Sequence, residues 1–324
     1  MTILLFLILS PIGIIFIVNK LILCFRCNSK VFLAGKTALI TGGTAGIGFE
    51  IAIGLASKGC RVIIADFVDT SKAVQEIIKK THNPDVIGKP LDLASFQSVR
   101  NFVKDIYLTE DKLNIVINNA GTAYLDSSYT EDGLHRTMQV NHFGHFLMTY
   151  LLIDLLKKSA PSRIIFTSSI LAYFVSARFM YEFNPKKTIC QGNLFKIYPT
   201  TKLYAAAISK TFAKKLEGTG ITCNAYNPGG TRTQIFFKQF RNIWDIFPTV
   251  LGFFVWTYGK TPEESAQTPI YLAQADEIES VTGKFFTEGR TFLAPIPTTN
   301  VKFCDKLWEK SIIYSKLADN EITI

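Results

Sequence analysis

The chain has 324 residues, 48% of them hydrophobic, and a formal net charge of +9 from 35 Lys and Arg against 26 Asp and Glu. This length and apolar share suffice for one large core plus an appendage, and no repeat, low-complexity run or Gly/Ser linker divides the chain. The basic excess lacks a stripe of cations interleaved with aromatics, which argues against nucleic acid as the partner, and the six scattered cysteines argue against a disulfide framework.

The appendage is the N-terminus, about residues 1–30. Ile3 to Val18 carry no charge and, after Asn19-Lys20, apolar residues resume through Phe25. The stretch is long enough for a membrane helix of about 20 residues. No Ala-x-Ala site follows it, which disfavours a cleaved signal peptide. Lys20, Arg26, Lys30 and Lys36 all lie on its C-terminal flank, so the positive-inside rule predicts a cytosolic domain. Pro11 and Gly13 keep open a kinked or re-entrant segment of the kind that suits a lipid droplet. An anionic membrane surface would also account for the basic excess. Cys24-x-x-Cys27 has no second pair to complete a zinc site, so no metal is expected.

From residue 31 onwards, strands and helices alternate. Ala38-Leu39-Ile40 reads as the end of a buried strand, the turn Thr41-Gly42-Gly43-Thr44-Ala45-Gly46-Ile47-Gly48 follows at once, and Phe49 to Ala56 reads as a helix. Gly42 would allow the tight turn, Gly46 a close backbone approach to a pyrophosphate, and Gly48 close helix packing. The second strand, Arg61 to Phe67, carries Asp66 near its end. A carboxylate there can accept from a ribose 2′-hydroxyl and repel a 2′-phosphate, or it can merely cap the next helix. Asp92 follows the third strand. Leu113 to Ile117 reads as a strand leading into Asn118-Asn119-Ala120-Gly121. Asn141 lies in the run Val140 to Phe146, and the strand Arg163 to Thr167 ends in Ser168-Ser169.

Tyr198 and Lys202 are spaced i, i+4, so a helix would place phenol and ammonium on one face. The adjacent cation is expected to lower the phenol pKa and fit it to carry a proton. Pro228-Gly229 precedes an aromatic-rich segment, about residues 234–260, that includes Phe240, Trp244, Phe247, Phe253 and Trp256. So many aromatics beside a site favour a bulky apolar ligand.

The order and spacing of these motifs resemble the short-chain dehydrogenase/reductase family over about residues 34 to 290. The resemblance implies an α/β fold, a single doubly wound parallel-sheet Rossmann domain spanning residues 31–324, with the N-terminal membrane segment attached. It implies a catalytic tetrad of Asn141, Ser169, Tyr198 and Lys202, with Ser168 the alternative to Ser169. It also implies cofactor contacts from Gly42, Thr44, Gly46, Ile47, Gly48, Asp66, Asp92, Asn119, Gly121, Tyr198, Lys202, Pro228, Gly229 and Thr233. NADP-preferring relatives usually carry Cys-Arg at the positions of Asp66-Phe67. Neither residue is kept here, so NAD is the expected cofactor and NADP the alternative.

The long interval between Ser169 and Tyr198, the aromatic segment and the stretch Lys306 to Ser311 resemble the retinol-dehydrogenase-like branch, including its polyprenol-oxidising members. The implied function is oxidoreduction of a lipophilic alcohol, with retinoid, polyprenol and steroid all open, at the endoplasmic reticulum or a lipid droplet. A homodimer is within that expectation. The alternatives are a catalytically silent nucleotide-binding sensor or scaffold, and a sugar-nucleotide epimerase. The Gly-x-x-x-Gly-x-Gly turn speaks against the epimerase.

Overall fold

The computed structural model describes residues 24–123, 128–175, 194–232, 259–321 and 324. Eight strands form one sheet: β1 Thr37–Thr41, β2 Arg61–Asp66, β3 Val86–Pro90, β4 Ile115–Asn118, β5 Ser162–Thr167, β6 Ile221–Asn227, β7 Phe285–Thr287 and β8 Arg290–Phe292. Their spatial order is β3-β2-β1-β4-β5-β6-β7-β8. The first seven run parallel. The last pairs antiparallel with β7, Phe285 opposite Phe292, so the expected all-parallel sheet carries one reversed edge strand. A three-residue return after a tight turn is too short to register as periodicity in the sequence.

The inner strands are apolar on both faces because helices cover both. In β1, Leu39 packs into one core while Ala38 and Ile40 pack into the other; in β2, Ile63 and Ala65 oppose Val62 and Ile64 in the same way. The second core is closed by α1 Gly46–Ala56, α2 Ser71–Thr81 and α7 Pro262–Gln274. The first is closed by α3 Phe96–Thr109, α4 Gly144–Leu151, α5 Ile153–Lys158, α6 Leu194–Lys215 and α8 Val301–Tyr314. Trp308 of α8 lies edge-on to Phe146 and Phe212, with ring centroids 5.2 and 4.9 Å away, and Phe212 stacks on Phe166 of β5. The stretch Lys306 to Ser311 thus pins α8 to the core; such ring pairs add about 0.5–1.5 kcal/mol each beyond their area burial.

The chain leaves β1 for β2 on one side, and later returns to place β4 on the other. The C-terminal ends of β1 and β4 therefore flank the crevice where sheets of this kind bind ligands. Among the described residues no helix is long and apolar enough to cross a membrane; the apolar run read from the sequence, residues 3–18, lies outside them. No group of described residues could hold a metal ion, and Cys24, Cys27, Cys60, Cys223 and Cys304 are free thiols.

Candidate active site

The glycine turn closes β1 and opens α1, three residues earlier than the expected start at Phe49. Gly46 holds φ +59°, a left-handed conformation that glycine adopts without strain. A Cβ on Gly48 would overlap the Gly42 carbonyl oxygen and crowd the Asn119 amide. No side chain caps α1 and no acidic residue sits in its first turn. Its first-turn backbone N–H groups and the positive end of its dipole are therefore not taken up by a cap or an acid of the helix itself, an arrangement that accepts phosphate. Ile47 is half-buried against the second core.

Asp66 is buried at the end of β2. Its Oδ2 accepts from the Thr44 amide (3.2 Å) and hydroxyl (2.6 Å), and its Oδ1 accepts from the Phe67 amide (2.9 Å). It does not cap α2; Asp69 instead accepts from the Ser71 amide at 3.1 Å. The carboxylate is thus drawn under the glycine turn at the C-terminal end of the strand next to β1. Asp92 is exposed after β3, and its Oδ1 accepts from the Ala94 amide at 2.8 Å. Asn119 donates its side-chain amide to the Thr41 carbonyl at 3.0 Å, and its backbone amide meets the Thr41 hydroxyl at 3.0 Å, tying the end of β4 to the end of β1.

Tyr198 and Lys202 lie on one face of α6, with the ammonium 5.6 Å from the phenol ring centre. Lys202 donates to the Thr167 carbonyl at 3.0 Å. Asn141 lies in a π-helical turn, Gln139–Phe143, immediately before α4, where a ladder of wider spacing re-aims the side chain. Its Oδ1 accepts from the Thr122 amide at 2.8 Å, and its Nδ2 donates to the Thr122 carbonyl (2.8 Å) and to the Thr201 hydroxyl (3.0 Å). Thr201 in turn donates to the Tyr198 carbonyl at 2.7 Å. A Cβ built on Gly121 would sit 3.4 Å from Lys202 Nζ and 3.7 Å from Asn141 Oδ1, so residues far apart in sequence converge above the ends of β4 and β5.

The two serines are distinguished by alternation along the chain. Ser168 is buried and donates to the Lys202 carbonyl at 2.7 Å, which occupies its proton. Ser169 is partly exposed; its Oγ accepts from the Leu171 amide at 3.2 Å, which leaves its own proton to donate to a ligand oxygen.

One expectation is reversed. The neighbouring cation was to lower the phenol pKa, but burial pushes Tyr198 well above the ordinary tyrosine value, and burial also lowers Lys202 to about 8. Inside the folded site desolvation disfavours both charged forms more strongly than their proximity favours them.

The parts played by Asn227, the Thr41 hydroxyl and His145 were not legible in the sequence. Asn227, at the end of β6, accepts from the amides of Ile170 (3.0 Å) and Gly229 (3.2 Å), and so joins the turn after Ser169 to the Pro228-Gly229 loop. Gly229 holds φ +82°, and its Cβ position faces the stem of Lys260 at 3.4 Å. The Thr41 hydroxyl also receives the Ala120 amide at 3.0 Å and lies 2.9 Å from His145 Nε2. His145 Nδ1 faces the Asn141 carbonyl at 3.4 Å, so this neutral imidazole carries its proton on Nδ1 and accepts from Thr41. Thr233 and the aromatic segment through residue 258 lie outside the described residues, as does most of the stretch between Tyr173 and Lys196.

His142 and His145 are fully buried, and burial above all pushes both pKa values down to about 3. In the unfolded chain each takes a proton near pH 6.5, whereas the native protein refuses it until about pH 3. Their stabilising effect is therefore complete above pH 6.5 and is lost as pH falls towards 3. The expected slope is up to about 1.4 kcal/mol per pH unit for each imidazole. Denaturant unfolding across that range should show His142→Gln with a flatter slope than the parent; equal slopes would refute the assignment.

The chain is similar to known proteins in both sequence and fold. The family model for short chain dehydrogenase matches residues 36–181. Human retinol dehydrogenase 13 is 37% identical over 294 residues, covering 88% of this chain and 86% of that protein. Human retinol dehydrogenase 12 is 36% identical over 290 residues, covering 88% of each. Among solved structures, a short chain dehydrogenase from Shigella flexneri superposes with TM-score 0.62 at 23% identity, covering 82% of this chain and 94% of that one. The Pseudomonas aeruginosa RhlG/NADP active-site complex superposes with TM-score 0.60 at 28% identity, covering 79% and 95%. The chain therefore belongs to the short-chain dehydrogenase family, in its retinol-dehydrogenase-like branch, and is an NAD(P)-dependent oxidoreductase of alcohols and their carbonyl partners.

Proposed function

We propose that this enzyme interconverts a lipophilic alcohol, of the retinoid, polyprenol or steroid class, with its aldehyde or ketone, that it prefers NAD, and that it works at a membrane. The observation that carries the reading is the convergence of Tyr198, Lys202 and Asn141 beside Gly121, with Ser169 at the end of the neighbouring strand. The glycine turn, Asp66, Asn119 and the Pro228-Gly229 loop would hold the dinucleotide, which would supply the hydride acceptor or donor.

The protein's own groups handle the proton. Tyr198 takes it from the substrate hydroxyl, or returns it to a carbonyl oxygen. Ser169 donates a hydrogen bond to the same oxygen. Lys202, anchored on Thr167, supplies positive charge and a donor on the ribose side. Asn141 holds the Thr122 and Thr201 contacts that fix the floor of the site, and by the family resemblance it would connect the site to water.

The substrate class rests on the relatives, which carry retinol dehydrogenase names, and on the aromatic segment read from the sequence. The membrane setting rests on the uncharged run Ile3 to Val18 and its basic flank, which favour a cytosolic catalytic domain on the endoplasmic reticulum, with a lipid droplet as the other surface. The decisive experiment follows nicotinamide absorbance with the detergent-solubilised full chain, offering NAD and NADP separately with retinol, a polyprenol and a hydroxysteroid. Turnover with at least one pair is the expected result. Nucleotide binding without turnover of any pair would replace the enzyme reading with that of a nucleotide sensor.

A further inference from the structure

The tight turn between β7 and β8 holds the end of the N-terminal apolar run. The backbone amide of Phe25 donates to Glu288 Oε2 at 3.0 Å, and the Phe25 ring lies against Gly289 and edge-on to Tyr271, 5.4 Å between ring centres. Glu288 Oε1 also accepts from Lys260, which closes the loop after Gly229. Phe25, where the apolar run ends in the sequence, is thus fixed at this turn.

From the same turn the sheet runs into an apolar patch. Leu293 and Ile296 are 80% and 82% exposed, Phe292 and Val301 more than half exposed, and Phe292 stands only three residues, at most ~10 Å, beyond Gly289. Phe174 is 76% exposed on the turn that begins at Ser169, and its neighbour Tyr173 donates its hydroxyl to the Leu293 carbonyl. The patch therefore adjoins the candidate substrate mouth on one side and the attachment of the N-terminal run on the other. Arg26, Arg290, Lys302 and Lys306 are exposed in the same stretches, against Asp305 and Glu309 as the exposed acids.

We propose that this surface, the β8 edge through Val301 together with Phe174, lies against an anionic lipid bilayer and forms a second membrane contact besides the N-terminal run. The inference rests on the membrane reading of that run given above. Isolated exposed apolar side chains are ordinary, but a cluster of them with a cationic rim at the foot of an uncharged run matches the two requirements of interfacial binding: apolar insertion and headgroup charge. A lipophilic substrate would then pass from the bilayer to the turn after Ser169 without crossing water.

The test uses the full chain reconstituted in vesicles of phosphatidylcholine and phosphatidylserine, with an environment-sensitive fluorescent amino acid replacing Leu293 or, as control, Leu108. Leu108 is 76% exposed near the end of α3, where Glu110 pairs with Arg61 at the start of β2, a strand far from β8 in the sheet order. Lipids brominated in the acyl chain should quench the probe at 293 and spare that at 108, and quenching should weaken when phosphatidylserine is omitted. In parallel, Leu293→Glu/Ile296→Glu should raise KM severalfold for a vesicle-borne substrate and leave KM for a short water-soluble alcohol unchanged. An unquenched probe at 293 with intact turnover of the soluble alcohol would overturn the contact and leave the enzymatic reading standing. Self-quenching between probes of two copies would assign the patch to a dimer, and an equal loss on both substrates would mean damage to the fold; either result overturns the proposal.

Discussion

Tyr198→Phe should lower kcat/KM by about 10²–10⁴-fold, the usual contribution of a positioned proton donor or acceptor, while nucleotide affinity stays near that of the parent. Phenylalanine fills the same buried space on α6 and removes only the oxygen, so the fold has little reason to change. The direction of the Tyr198 shift adds a signature. Because burial holds the phenol protonated through neutral pH, carbonyl reduction, which needs the acid form, should stay flat across that range. Alcohol oxidation needs the base form, so kcat/KM should climb with pH in the free enzyme, and binding of the cationic oxidised nicotinamide would favour the phenolate further. A pH profile measured in both directions checks this. Near-parental turnover of Tyr198→Phe would sink the assignment, and the proton would then have to come from elsewhere in the site. Lys202→Met is the companion variant: with the donor to Thr167 removed, nucleotide affinity should fall as well as rate, which separates the two roles.

Cofactor choice should turn on two adjacent residues. In Asp66→Asn the side-chain oxygen can still accept from Thr44, so the glycine turn keeps its shape, but the charge that rejects a 2′-phosphate is gone. A hydrogen bond to a charged group is worth about 1.5–3 kcal/mol, so the ratio of kcat/KM for NAD over NADP should fall by about 10–100-fold. Phe67 is 75% exposed beside it, and Phe67→Arg adds a cation where a 2′-phosphate would meet solvent. The double variant should prefer NADP. If the parent already prefers NADP, or if Asp66→Asn leaves the ratio unchanged, the carboxylate only braces Thr44 and the NAD preference is wrong.

The parts of the site legible in the sequence are those written in local chemistry. Two-sided apolar strands require helices on both faces, and Leu39 and Ile40 point to opposite cores as such a run demands. The spacing of Gly42, Gly46 and Gly48 reports where backbone must approach backbone, and the i, i+4 spacing of Tyr198 and Lys202 reports a shared helix face. What escaped depends on partners distant in the chain. Nothing near Asn141 signals a π turn, and the Thr41–His145–Asn141 connection joins residues more than a hundred positions apart through one imidazole whose tautomer follows from its neighbours. The reversed edge strand β8 is three residues long, below the reach of periodicity.

Class of fold and the glycine turn were thus legible in the sequence from residue type and spacing, and the candidate tetrad from the family resemblance that those motifs carry. The separation of Ser168 from Ser169, the bracing of Thr44 by Asp66 and the upward shift of Tyr198 were decided only by the tertiary structure. Those depend on which atoms lose water and which gain partners when the strand ends meet, and neither burial nor a hydrogen-bond partner across the sheet is a property of any local stretch of chain.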